Sequence, residues 1–91
     1  MTLSTDDCRR LIVDAVLANP VVSVEDAGIL ARLSNPSDDC TFEELGFDSL
    51  ARMELCIWIQ MEAGIEIAED VVMSNGSINA LAASLASLPA G

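Results

Sequence analysis

Histidine, lysine and tyrosine are all missing from the 91 residues. Without them there is no Ser-His-Asp triad, no Schiff-base lysine and no common general base beyond the carboxylates. Aromatic side chains are few: Phe42, Phe47 and Trp58. Aliphatic residues and alanine dominate, which favours a helical bundle over a β-sandwich. Positive charge is almost as scarce. Four arginines, Arg9, Arg10, Arg32 and Arg52, face fifteen carboxylates, for a net charge of −11. Such a surface repels nucleic acid and anionic lipid, which need Lys or Arg against their phosphates. It attracts basic protein partners and speeds their encounter.

The cysteines Cys8, Cys40 and Cys56 are odd in number and widely spaced, so neither a disulfide frame nor a zinc site is expected. Each lies in or near an apolar stretch and reads as a small buried thiol. The twelve-residue calcium-loop pattern is absent, so no metal is expected. The pairs Asp6-Asp7 and Asp38-Asp39 read as solvated caps. No run of residues has the length or flanks of a membrane span or a signal peptide, which points to the cytoplasm. Stand-alone catalysis is not expected.

What is present reads as one domain over residues 1–91, all-α, a bundle of four helices. Ser4 and Asp7 stand at capping-box spacing, and Cys8, Leu11, Ile12, Ala15 and Val16 then recur at helical intervals. The first helix is placed at Ser4 to Ala18 and stops before Pro20. A long connection runs from Asn19 to Phe47. Within it Ser23 and Asp26 repeat the capping spacing, and Ala27, Leu30 and Ala31 suggest a short amphipathic helix. Thr41 and Glu44 form another cap pair, with Phe42 and Leu45 as apolar plugs and Gly46 free to turn. The second helix spans Ser49 to Ala63, with Asp48 as N-cap and Gly64 as C-cap. One or two helical turns follow in "AEDVVMSN". The last helix spans Ser77 to Leu88 and is closed by Pro89. Its apolar stripe is Ile78, Leu81, Ala82, Leu85 and Leu88.

The second helix is apolar on two sides. At about 100° per residue, Leu55, Cys56, Ile59 and Ala63 share one side, and Leu50, Met53, Ile57 and Met61 lie nearly opposite. A surface helix in a bundle needs one apolar stripe. The second must be buried in a central helix or left exposed as a docking face, rimmed here by Glu54 and Glu62. Trp58 falls between the stripes, at the edge of the core.

Ser49 stands at the head of this helix. A helix N-terminus offers unpaired N–H groups and partial positive charge, so a phosphodiester on that hydroxyl would be favoured there. The Asp48 carboxylate opposes it. Local physics leaves two readings open, a plain helix-start residue and a point of attachment.

The stretch "FEELGFDSLARMEL", residues 42–55, resembles the signature of acyl carrier proteins and the related peptidyl carrier domains. Phe42, Leu45-Gly46-Phe47-Asp48-Ser49-Leu50 and Glu54-Leu55 carry the likeness. The wider layout of helices and long loop matches as well. The resemblance implies a four-helix bundle of the acyl-carrier type, with a long loop between the first and second helices and a short third helix. It implies that Ser49, flanked by Asp48 and Leu50, receives 4′-phosphopantetheine from coenzyme A through a phosphopantetheinyl transferase. Cargo would ride as a thioester to partner enzymes docking on Leu50, Met53, Glu54 and Ile57. Those partners would be acyl- or aminoacyl-loading enzymes and synthase or transferase modules, met by a monomer. The third-helix region is less acidic than in the fatty-acid type, and Ala68 replaces a common Pro. That suits a discrete acyl carrier of polyketide or other specialised biosynthesis. An aminoacyl or peptidyl carrier is the alternative, and an acidic interaction module without an arm a remoter one.

Overall fold

A computed structural model describes residues 4–87. Five α-helices occur among them: α1 (Thr5–Leu17), α2 (Ala27–Ser34), α3 (Ser49–Ala63), α4 (Glu69–Ser74) and α5 (Ile78–Ala86). The short helix expected within the long first loop forms as α2. No strand is formed among the described residues; one antiparallel bridge joins Thr41 and Ser77. Leu88 and Pro89, expected at the end of the last helix, lie outside the described residues.

Local chemistry fixes most helix ends. The Ser4–Asp7 capping box forms in both directions at the head of α1. At α2 the cap is Asp26, whose Oδ1 accepts from the Ile29 N–H; the expected Ser23–Asp26 pair does not form. The register of α2 also differs from the expectation. Ala27, Leu30 and Ala31 are exposed, whereas Leu33 is buried and Ile29 half-buried. A helix starting at Asp26 turns the pair four residues apart, Ile29 and Leu33, inward. Gly64 ends α3 in the left-handed region at φ 69°, as a C-cap glycine does.

The core gathers Ile12, Leu55, Ile59, Val72, Ile78 and Leu81. Helix α1 packs on α5 and on α3, and α3 packs on α4. All three cysteines are free and buried. Burial pushes each thiol above its ordinary value, the opposite of what a reactive thiolate requires.

Two buried polar side chains bind the elements together. The Arg9 guanidinium donates from Nε to Asn79 Oδ1 on α5, at 2.8 Å, and from Nη1 to the Leu33 carbonyl, at 2.8 Å. Its Nη2 reaches the carbonyls of Arg32, Asn35 and Asp38. These carbonyls include the open C-terminal end of α2, where positive charge is favoured. Asn19 is the second staple. Its Oδ1 accepts from the Val21 and Val22 N–H groups, and its Nδ2 donates to the Ala51 carbonyl in the first turn of α3.

Candidate functional site

The ten residues "TFEELGFDSL", 41–50, build the approach to Ser49 from local rules alone. Thr41 and Glu44 close a reciprocal pair: Thr41 N–H donates to Glu44 Oε2 at 2.9 Å, and Glu44 N–H to Thr41 Oγ1 at 3.0 Å. One turn later Gly46 takes φ 76°. Its N–H donates to the Glu43 carbonyl and the Phe47 N–H to the Phe42 carbonyl. That double bond pattern is a Schellman ending, and it places its two flanking residues in apolar contact. Here they are Phe42 and Phe47, with ring centroids 5.4 Å apart, both buried. The turn is therefore capped at both ends and pinned to the core. A side chain at position 46 would be strained by the positive φ, though nothing crowds it.

Arg32 holds the outside of this turn. Its guanidinium forks onto both Glu44 oxygens, at 2.9 and 3.0 Å, and reaches the Asp39 carbonyl at 2.7 Å. The Arg32 fork, then the Thr41 N–H and hydroxyl, hold the Glu44 carboxyl down at about 2. Asp39 is exposed, but its Oδ1 reaches α5 and accepts from the Asn79 N–H at 3.0 Å. Burial works to raise it, but donation from the Asn79 and Cys40 N–H groups and the Arg9 charge overrule that, and its carboxyl lies below the usual range.

From this rigid turn the chain enters α3. Asp48 is the N-cap: its Oδ1 accepts from the Ala51 N–H at 2.9 Å and its carbonyl from the Arg52 N–H at 3.0 Å. Ser49 is thus not the cap. It is the first residue inside the helix, it is exposed, and its hydroxyl has no hydrogen-bond partner among the described residues. Ser4 and Ser77, by contrast, commit their oxygens to capping α1 and α5. The Ser49 and Leu50 N–H groups also lack partners among the described residues, as the first donors of a helix must unless something outside supplies an acceptor. A nucleophilic hydroxyl with a free oxygen therefore lies beside two free donors and the positive end of a helix. That donor set fits a phosphodiester.

Helix α3 divides its apolar residues between two faces. Leu55, Cys56 and Ile59 are buried, with Ala51 beside them. Leu50, Met53, Ile57 and Met61 are exposed by 50, 47, 43 and 80%. Glu54 is half-buried at their edge. Ala63 departs from its expected inner position and is exposed, because the helix ends at Gly64 beyond the last packed turn. Arg52 ties α3 to α4 through Glu69, at 3.3 Å. Met73 on α4 adds a further exposed apolar side chain.

Sequence reasoning did not find Asn19, Arg9 or the Arg52–Glu69 tie. The bonds by which they join separate elements span 17 to 70 residues, so no local spacing announces them. Among the described residues no cluster of three or more His, Cys, Asp or Glu is arranged to hold a metal ion. No helix among them is long and apolar enough to cross a membrane.

A family model described as the phosphopantetheine attachment site matches residues 25–85, more than half of the chain. The chain is 49% identical over 45 residues to the granaticin polyketide synthase acyl carrier protein of Streptomyces violaceoruber, a match covering 50% of this chain and 51% of that relative. It is 36% identical over 69 residues to the actinorhodin polyketide synthase acyl carrier protein of Streptomyces coelicolor, covering 76% of this chain and 70% of that relative. The chain thus spans about half the length of the first relative and more than two thirds of the second. No solved structure matches it significantly. An all-α fold, a helix-head serine with free donors and these matches agree: the chain belongs to the acyl carrier protein family, whose covalent cofactor is 4′-phosphopantetheine.

Proposed function

We propose that Ser49 is the attachment point and that the chain, acting as one carrier domain, holds an acyl intermediate of polyketide biosynthesis for its partner enzymes. The observation that carries this is the exposed Ser49 hydroxyl, which is free of any capping duty because Asp48 performs it. The group, once bound, supplies a terminal thiol on which an acyl unit is held as a thioester. The chain's own residues supply placement. The stapled turn at 41–47 and the Asn19 bond to Ala51 fix where α3 begins. The Ser49 and Leu50 N–H groups are available to a phosphate oxygen. Asp48 is repulsive to that phosphate, an effect reduced because one carboxylate oxygen is bonded to the Ala51 N–H. The names of the two relatives support polyketide cargo over an amino-acid one.

Partner enzymes, including a phosphopantetheinyl transferase, a loading enzyme and a synthase, would meet the exposed stripe of Leu50, Met53 and Ile57 with Glu54 at its edge. Scattered apolar residues are common on surfaces, but an aligned stripe on one helix is the geometry of a docking face. The deciding experiment is mass spectrometry of the intact protein after incubation with coenzyme A and a broad-specificity phosphopantetheinyl transferase. A gain of one phosphopantetheine is expected, and Ser49→Ala abolishes it. A gain that survives in Ser49→Ala assigns the attachment elsewhere and overturns the proposal.

A further inference from the structure

Arg52 is the one cationic side chain on α3 and α4, and it stands three residues after Ser49. Residues so spaced share a helix face, with Cβ atoms about 5–6 Å apart. Helical side chains lean towards the N-terminus, so Arg52 covers the turn that Ser49 opens. Its donors are also the least committed of the arginines that bond within the fold. Arg9 spends Nε, Nη1 and Nη2 on carbonyls and Asn79, beside a pocket of about 310 Å³ between α1 and the end of α2. Arg32 spends both Nη groups on Glu44 and the Asp39 carbonyl. Arg52 gives only its Nε, to Glu69 Oε1 at 3.3 Å, a long bond. Its Nη1 and Nη2 donate to nothing among the described residues, and neither is sealed from solvent. Glu69 is the first residue of α4, a helix anchored by the buried Val72. The guanidinium is thus held by one edge, with its other donors free.

We propose that Arg52 is a ligand of the phosphodiester at Ser49, donating from Nη1 and Nη2 to its non-bridging oxygens while Nε stays on Glu69. This rests on Ser49 being the attachment point. The Ser49 and Leu50 N–H groups meet the phosphate from the helix end, and Arg52 meets it from the flank. Arginine and phosphate make a charge-assisted pair of matched geometry. A phosphodiester on Ser49 adds negative charge where Asp48 and Glu69 already stand. One cation shared between Glu69 and the phosphate offsets that repulsion and holds the base of the arm against α3.

The test compares apo and holo protein. Coenzyme A and a broad-specificity transferase load the chain, and the intact masses of wild type and Ser49→Ala establish loading at Ser49. In protein with isotope-labelled arginine, the Nε–Hε resonance of Arg52, assigned by its loss in Arg52→Gln, should move on loading while that of Arg32 stays. This reading needs no variant to be loaded. Urea unfolding of apo and holo forms gives the second reading. Loading should lower the folding equilibrium constant of Arg52→Gln about threefold more than that of wild type, the size of one partly exposed ion pair, and added salt should shrink the difference. Each protein is compared with its own apo form, so the lost tie to Glu69 cancels. An Arg52 resonance that does not move on loading at Ser49 overturns this inference alone. So does an equal loading effect in Arg52→Gln and wild type. A mass gain that is absent, or that survives in Ser49→Ala, overturns the attachment reading and this one with it.

Discussion

Replacing Arg9 with alanine should be among the most destructive single changes on α1. The side chain is 7% exposed and donates to five acceptors on α2, the following loop and α5. A hydrogen bond from a charged donor contributes roughly 1.5–3 kcal/mol, so a naive sum exceeds about 7 kcal/mol. Two terms cut it down. Burying an ion costs several kcal/mol, and that cost vanishes with the guanidinium. Water entering through the adjacent pocket can satisfy some of the abandoned carbonyls. A net loss of about 2–4 kcal/mol remains, a large share of the roughly 5–15 kcal/mol available to a typical native protein. For a domain of this size that is a fall in melting temperature of roughly 10–25 °C. Urea unfolding followed by far-ultraviolet circular dichroism measures it. Arg10→Ala is the control, expected within about 0.5 kcal/mol because its side chain is exposed. Arg9→Lys keeps the charge but not the planar fork, so it should recover only part of the loss. If Arg9→Ala cost less than about 1 kcal/mol, with an unchanged denaturant slope, the staple would be incidental and the reasoning from hydrogen bonds wrong.

Two further outcomes are expected. Met53→Glu and Ile57→Glu place charge on exposed positions and should leave helical content and melting temperature nearly unchanged while slowing transfer to a partner enzyme; Leu55→Glu, on the buried side, should unfold the chain. Circular dichroism on the three variants separates the faces, and unfolding of Met53→Glu would show that the outer stripe is core. The second outcome concerns acid. The Glu44 carboxyl sits at about 2 against 4.5 without its partners, a depressed value, so its contribution is present above about 4.5 and is lost as pH falls towards about 2. Glu44→Gln should flatten that limb of the stability profile, and added salt should shrink the effect, since the Arg32–Glu44 pair is exposed. An acid limb identical in the variant would remove Glu44 from the account.

What could be read from the chain and what could not divide along a physical line. The features legible beforehand are those whose partners lie within one helical turn: the Ser4–Asp7 box, the Thr41–Glu44 pair, Asp48 as cap, Gly64 as stop, and the two faces of α3. Each rests on spacing, which a sequence displays directly. Helix α2 was half legible. Its existence followed from capping spacing and apolar periodicity, but its phase did not, because eight residues with apolar side chains on several sides fit more than one register, and only contact with the rest of the fold selects Leu33 and Ile29. The long-range bonds of Arg9 and Asn19 were illegible, since they run mostly to backbone carbonyls, and every residue type presents the same carbonyl.

That division bears on how the site works. The turn at 41–47 and the cap at Asp48 give Ser49 its local surroundings chiefly through bonds between near neighbours, with Arg32 bracing the turn from α2. Position is another matter. The bridge of Thr41 to Ser77, the Asp39 bond to the Asn79 N–H and the Arg9 bonds to Asp38 and Asn79 tie the same loop to α1 and α5. The Asn19 bond to Ala51 ties the first turn of α3 to the end of α1. On the proposed function, Ser49 and the outer α3 face are met by partner enzymes in one fixed relation. Local caps set the hydroxyl's exposure, and long-range polar staples set its placement against the outer α3 face. Damage to a local cap should therefore cost some stability as well as modification, whereas damage to Arg9 should lower modification both through the fraction unfolded and through misplacement of the serine in what stays folded.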